Sequence, residues 1–248
     1  MQSFKADLHI HTVLSPCGDL EMSPTNIIAK AKEKQLDCIA ITDHNSTLHC
    51  KLTKELGEKE GILVIMGAEV TSKEEAHCLC FFEDEESLDK FQEWLDEKLP
   101  KIPLDEERFG YQLVVNQDEE IIDQKEFLLI NAIDADLDTI FEKVESLNGL
   151  FVPAHVNKAA NSLTSQLGFV PPDIKAHALE ISRHISKINF LKKYAYLKKF
   201  QFIQDSDSHF IDSIGDTYCN LVMEELSFRE FRQAICGKDG RYIETIIN

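Results

Sequence analysis

The chain has 248 residues, 43% of them hydrophobic and 28% charged, with a formal net charge of −18. That composition is globular and leaves room for one α/β barrel or two small domains with a substantial core. No apolar run approaches the ~20 residues of a membrane span, and so acidic a chain lacks the basic footprint of a general nucleic-acid binder, although bound divalent cations would offset part of the charge locally.

Residues 1–5 show no apolar signal-peptide core, and a strand pattern begins almost at once, so a cytoplasmic protein without a leader is expected. Short apolar segments at 4–11, 38–42, 63–68, 77–82, 150–153, 178–181 and 200–204 read as strands, with helical patterns between most of them. This alternation predicts a parallel α/β fold. Ser23-Pro24 reads as an N-cap followed by an N1 proline. Ser87 and Asp136 are predicted to cap helices, and Ser227-Phe228-Arg229-Glu230 matches a capping box. The interval 100–131 breaks the rhythm: apolar runs 113–115 and 127–130 flank the acidic Asp118-Glu119-Glu120. It reads as an insertion, a hairpin or small cap, in a single domain spanning 1–248. The seven cysteines include no Cys-x-x-Cys, which predicts free thiols in a reducing compartment. Cys78 and Cys80 share a strand face and are candidate soft ligands, but small buried hydrophobes are the favoured reading.

Nearly every predicted strand ends on a chemically capable residue. His9 and His11 sit at i and i+2, so an extended strand points both from one face. The second strand leads to Asp43-His44 and the third to Glu69. The fourth opens at His77, and the fifth leads to His155. The sixth leads to Arg183 and His184, the seventh to Asp207 and His209. Active sites of barrels are assembled from the C-terminal ends of several strands. A lone histidine there is ordinarily incidental. Six of nine histidines in one pattern, with carboxylates, point to a multinuclear metal site. His49 and His177 read as ordinary. Asp7 shares a face with His9 and is a candidate to orient an imidazole. Arg183 is a candidate phosphate clamp, because guanidinium binds phosphate oxygens bidentately. His184 is a candidate proton donor to a leaving alkoxide, and Asn157 and Lys158 are candidate rim contacts.

The motifs Asp7-Leu8-His9-Ile10-His11-Thr12, Thr42-Asp43-His44, Gly67-Ala68-Glu69, Pro153-Ala154-His155 and Ser206-Asp207-Ser208-His209 resemble those of the PHP (polymerase and histidinol phosphatase) family, in the family's order. The resemblance covers residues 4 to about 220. It implies a distorted seven-stranded (β/α)7 TIM-like barrel holding two to three divalent metals. By motif, it implies a first metal on His9, His11, Glu69 and Asp207. A second would share Glu69 and add His77 and His155. A third would take Asp19, His44 and His209. Asp19 and His77 are the softest of these assignments. Mixed imidazole and carboxylate ligands suit Zn, Mn or Fe.

The implied function is hydrolysis of a phosphate monoester of a small molecule, by a water that metal coordination activates at neutral pH. Glu69 and Asp207, with Arg183 and His184, would carry the chemistry. A nuclease on short oligonucleotides, a hydrolase of C–N bonds and a non-catalytic PHP binding module are the rivals. A small phosphorylated substrate is the expected partner; long nucleic acid and membranes are not. The insertion is expected to cap the barrel mouth.

Overall fold

Residues 1–247 are described in the computed structural model. In chain order the elements are β1 (Gln2–Ile10), α1 (Pro24–Glu33), β2 (Cys38–Ile41), α2 (Cys50–Glu60), β3 (Leu63–Thr71), β4 (His77–Phe82), α3 (Glu85–Lys98) and α4 (Glu106–Phe109). Then come β5 (Leu113–Val115), β6 (Ile121–Gln124), α5 (Leu137–Ser146), β7 (Leu150–Pro153), α6 (Leu163–Gln166), β8 (Ala178–Glu180), α7 (Lys187–Lys193), β9 (Gln201–Ile203), β10 (Cys219–Met223), α8 (Phe228–Cys236) and β11 (Tyr242–Thr245). No helix among the described residues is long and apolar enough to cross a membrane.

All seven expected strands form, yet the sheet departs from a parallel (β/α)7 barrel. One seven-stranded sheet runs in the order β11-β10-β1-β2-β3-β4-β7, while β8 and β9 form a separate parallel pair. β1, β2 and β3 are parallel, but β4 is antiparallel to β3 and β7 to β4. The cause is chain length. Residues 72–76 are too few for a parallel crossover, which needs a dozen or more. They make a tight turn, in which the Ser72 N–H donates to Ala76 O at 2.9 Å. β10 and β11, which carry no site residue, were not expected; β10 runs antiparallel to β1 along Gln2–Ala6.

The sheet curls, and the β8–β9 pair stands across its open side. The Val156 N–H donates to Glu180 O at 2.8 Å on one flank, and the His11 N–H to Ser208 O at 3.0 Å on the other. Ala6, Leu8, Leu79, Val152, Ala178 and Ile203, from opposite walls, share one buried cluster with Phe231 of α8. Ile10, Ile41, Met66, Cys78 and Cys80 belong to the outer layer, against Ile28 of α1 and Leu88 and Phe91 of α3. The two strand cysteines are therefore packing residues. All seven cysteines are unpaired.

Helix starts mostly follow the expected chemistry. Ser23 and Asp136 accept the N–H groups of Asn26 and Thr139. Ser87 is not a cap: Asp84 accepts its N–H, which starts α3 three residues earlier. Ser227 caps α8, but Glu230 accepts the N–H of Glu224 and pairs with Arg241, so the reciprocal half of the capping box is not made.

The insertion folds as a β5–β6 hairpin at the rim, against the segment that follows β1. Val13, Leu113 and Val115 form a small buried cluster, and the Leu113 N–H donates to Val13 O at 3.2 Å. His49 is the buried link. Its Nε2 accepts the Val115 N–H at 3.0 Å, so Nδ1 carries the proton and faces Thr12 Oγ1 at 2.6 Å. Burial pushes His49 down from 6.5 to about 4. Between those values the unfolded chain binds a proton that the folded chain refuses, so this contribution is complete above pH 6.5 and lost as pH falls toward 4. Urea melts of wild type and His49→Gln should show a stability difference that is flat above that window. It should shrink by up to about 3 kcal/mol below it. A difference independent of pH would show that His49 is not held neutral.

Candidate metal centre

One edge of the curled sheet gathers the acids and imidazoles. Because β4 runs against β3, its first residue, His77, pairs with Thr71 at the edge where Glu69 stands. That is why this candidate opens its strand while the others lie near the C-terminal ends of theirs or beyond them. Backbone bonds hold the neighbours in place. The Glu69 N–H donates to Asp43 O at 3.0 Å, the Asn45 N–H to Glu69 O at 2.9 Å, and the Ala154 N–H to His77 O at 2.9 Å. Asn45, His155 and Asp207 adopt left-handed backbone, with φ of 46°, 26° and 53°. Such a conformation costs a non-glycine residue about 1–2 kcal/mol, a strain that collects at functional sites.

Glu69 is the hub, and only 1% exposed. Its Oε1 lies 2.8 Å from His77 Nδ1, 3.1 Å from His155 Nε2 and 3.3 Å from His9 Nε2. Its Oε2 lies 3.1 Å from His44 Nδ1 and 3.4 Å from His11 Nε2. The two oxygens thus face two different sets of imidazoles, as a bridging ligand's would. Asp207 Oδ1 lies 3.5 and 3.7 Å from the Nε2 atoms of His9 and His11. His209 stacks on His11 with ring centroids 4.1 Å apart. Burial opposes a charged Glu69, but the imidazoles of His77 and His9 hold it well below the usual carboxylate range. Burial and the neighbouring imidazoles of His209 and His44 push His11 well below the ordinary histidine value, so it is neutral.

The donor set fits divalent cations. Ligand atoms of His9, His11 and Glu69 lie within 4.8 Å of one another, as do those of His44, Glu69 and His77, and those of His11, His44 and His209. His44 Nδ1, both nitrogens of His77 and His155 Nδ1 are buried without a hydrogen-bond partner. Glu69 approaches two of these atoms, but not in hydrogen-bond alignment. An orphaned buried polar atom costs about 1–3 kcal/mol. A cation among these lone pairs relieves that cost for the nitrogens that face it.

Groups behind the imidazoles aim them. His9 Nδ1 lies 3.1 Å from both Glu180 oxygens, and Glu180 Oε2 also accepts the His155 N–H at 2.7 Å. Ser15 Oγ donates to Asp43 at 2.7 Å and so accepts from His11 Nδ1 at 2.9 Å. Both rings therefore turn Nε2 inward. Sequence reasoning missed Glu180 and Ser15. A carboxylate closing an apolar strand was the one signal for Glu180, and Ser15 carried none. Asp7, expected to orient an imidazole, instead accepts the N–H groups of Ser206 at 3.1 Å and Gly215 at 2.8 Å. It anchors the loop that carries Asp207 and His209.

Other candidates lie around this cluster. The Asp19 N–H donates to His209 O at 2.9 Å, but its carboxylate accepts the Glu21 N–H at 2.9 Å and stands outside the three donor groups. Lys158 Nζ pairs with Asp207 Oδ2 at 2.5 Å. A pocket of about 90 Å³ opens beside the cluster, lined by His155, Lys158, Glu180, Ser182, Arg183, His184, Asp205, Ser206 and Asp207. Arg183 and His184 are exposed there, and neither forms an ion pair with a described residue. No residue of 100–131 lines this pocket, so the insertion buttresses the His11 side and does not cover it. His177 accepts the Phe151 N–H at 3.0 Å, an ordinary structural role.

Residues 7–191 match the PHP domain family model. The chain belongs to the PHP family. It is similar to the uncharacterized protein YqxK of Bacillus subtilis (strain 168), 24% identical over 98% of this chain and 64% of that protein. Among solved structures, it resembles the lesion-specific endonuclease PfuEndoQ of Pyrococcus furiosus, with TM-score 0.70, 20% identity and coverage of 98% of this chain and 58% of that one. A Bifidobacterium adolescentis protein described as a metal-dependent phosphoesterase matches with TM-score 0.55 and 19% identity, over 82% of this chain and 87% of that one. This PHP chain spans less than two thirds of YqxK and PfuEndoQ.

Elemental analysis of metal-replete protein should give about two to three equivalents of divalent metal. Glu69→Gln should lose most of them, while Asp19→Asn should keep them. A folded Glu69→Gln with full metal content would remove the bridging assignment.

Proposed function

We propose that this PHP chain is a metal-dependent phosphoesterase whose substrate is a small phosphate monoester. The carrying observation is the pocket that joins the imidazole–carboxylate cluster to Lys158 and Arg183. Its volume of about 90 Å³ is far below the ~300–1,000 Å³ of pockets that enclose whole ligands. It takes a phosphoryl group and leaves the rest of the ester at the surface.

His9, His11, Glu69 and Asp207 would hold one cation, His77 and His155 with Glu69 a second, and His44 and His209 a third; Zn, Mn and Fe suit these donors. Such cations lower the pKa of water and neutralise charge on phosphate and leaving oxygens. The chain's own groups do the rest. Arg183 presents a planar guanidinium to phosphate oxygens. Lys158 holds Asp207 by one oxygen, which leaves the other turned toward His9 and His11. His184 stands at the pocket mouth, where it can return a proton to the leaving alkoxide. Glu69 and Asp207 supply the anionic charge that keeps the cations in place. The free thiols support a reducing compartment, the cytoplasm.

The net charge of −18 repels long polyanions and favours small substrates. A second reading, a nuclease, is supported by one observation. The fold is shared with Endonuclease Q, which has been solved with a duplex bearing an abasic lesion at its active site, at TM-score 0.69 and 19% identity.

A panel of nucleotides, sugar phosphates, histidinol phosphate, short oligonucleotides and an abasic duplex, each with Mn or Zn, decides between the two. Small monoesters should be hydrolysed fastest. Faster cleavage of the nucleic acids would sink the first reading. Arg183→Ala should raise KM by roughly tenfold or more, since a charged hydrogen bond contributes about 1.5–3 kcal/mol. An unchanged KM would take Arg183 out of the phosphate site.

A further inference from the structure

The imidazoles around Glu69 are held from behind by unlike groups. Glu180, 1% exposed at the end of β8, meets His9 Nδ1 at 3.1 Å and accepts the His155 N–H at 2.7 Å. His9 and His155 both face Glu69 Oε1. One buried carboxylate therefore fixes a ring of β1 and the second residue past β7 on the two flanks of the same carboxylate oxygen. A carboxylate behind an imidazole makes it a stronger donor and locks its direction.

On the other side, Asp207 Oδ1 lies 3.7 Å from His11 Nε2 and 3.8 Å from His209 Nδ1, and among the described residues no second carboxylate stands behind these rings as Glu180 stands behind His9. His11 is backed by the uncharged Ser15 hydroxyl. His209 Nδ1 meets the Asp207 carbonyl of its own loop at 3.0 Å, and its side chain is 22% exposed. Asp19, which the family resemblance implies for this position, is turned to the Glu21 N–H.

We infer that Glu180 is a positioning residue that makes the cation positions flanking Glu69 Oε1 a tightly held pair, and that the outer position at His44 and His209 is exchangeable. This rests on the metal-site reading above. The protein keeps its inner cations and draws the last one from solution, alone or with a phosphorylated ligand. Occupancy of the outer position then follows free divalent cation in a protein that already carries metal.

The test follows metal release from the holoprotein. Protein loaded with manganese is mixed with a divalent chelator, and bound metal is measured over time by elemental analysis, with thermal melts in parallel. Wild type should release one equivalent fast and the remainder at least roughly tenfold more slowly. Glu180→Gln keeps an acceptor for the His155 N–H and removes the charge behind His9. Its slow phase should merge into the fast one, and its cobalt-loaded form should show a shifted visible spectrum. His209→Ala should lack the fast equivalent and keep the slow ones. The inference is overturned if Glu180→Gln keeps a wild-type slow phase, or if His209→Ala keeps the fast equivalent. Release at a single rate from wild type overturns it as well. If Glu180→Gln does not fold, the wild-type and His209→Ala curves still decide. Wild type that binds no metal would overturn the metal-site reading itself, whereas uniform release of bound metal overturns only the grading.

Discussion

A buried carboxylate with almost no water around it is the constraint from which the rest of this structure follows. Taking an ion such as Glu69 out of water costs several kcal/mol even after the protein relaxes. The cost is tolerable only where positive charge or donors replace the lost water. Five imidazoles lie within 3.4 Å of its two oxygens. Burial holds His11 and His44 below the ordinary histidine value, so the rings that face Glu69 Oε2 are a weak replacement. Cations between rings and carboxylate would supply what is missing. The same logic accounts for the unpartnered nitrogens of His44, His77 and His155. A self-contained hydrogen-bond network would have left none.

That constraint also dictates topology. Six histidines and two carboxylates must arrive at one edge from β1, β2, β3, β4, β7 and the segment after β9. In an all-parallel sheet only strand C-termini reach that edge. The short 72–76 turn reverses β4 and brings an N-terminus there as well, which supplies His77 directly opposite Thr71. Departure from a regular barrel thus adds an imidazole to this edge, which a regular βα repeat would have placed at the far end of the strand.

The legible part of this architecture was the part written in short apolar segments and in residue types that water does not ordinarily allow at buried strand ends. His9, His11, His44, Glu69, His77, His155, Asp207 and His209, which the structure gathers at one edge, each lie at an end of such a segment or shortly beyond it. Strand direction could not be read, because antiparallel and parallel strands with two buried faces carry the same apolar pattern. β10 was missed because it ends on no chemically capable residue, although Cys219, Leu221 and Met223 alternate into the core. The supporting groups behaved differently again. Glu180 acts through hydrogen bonds to residues far along the chain and Ser15 through the direction that Asp43 gives its hydroxyl, which no local pattern encodes; proximity in sequence to His11 likewise says nothing about where the Asp19 carboxylate turns, and it turns to the Glu21 N–H.

The insertion shows how a peripheral piece is tied to this centre. Its strand β5 donates a backbone N–H to His49, His49 donates to Thr12, and Thr12 donates to Asp43, which also receives the Thr12 N–H at 2.7 Å and the Ser15 hydroxyl. Ser15 in turn holds His11. Every link is buried, and each donor has one acceptor, so a ring flip or a lost proton at any link leaves an unpaired polar group at the next. Such a chain stiffens the segment between β1 and α1, which otherwise has little regular structure. The acidic tip of the hairpin lies at its far end, where the Ser23 hydroxyl meets Glu119 at the start of α1. The insertion therefore need not touch a substrate to matter. By fixing the loop after His11 it fixes the direction of one imidazole, on the side of the cluster that Glu180 does not reach.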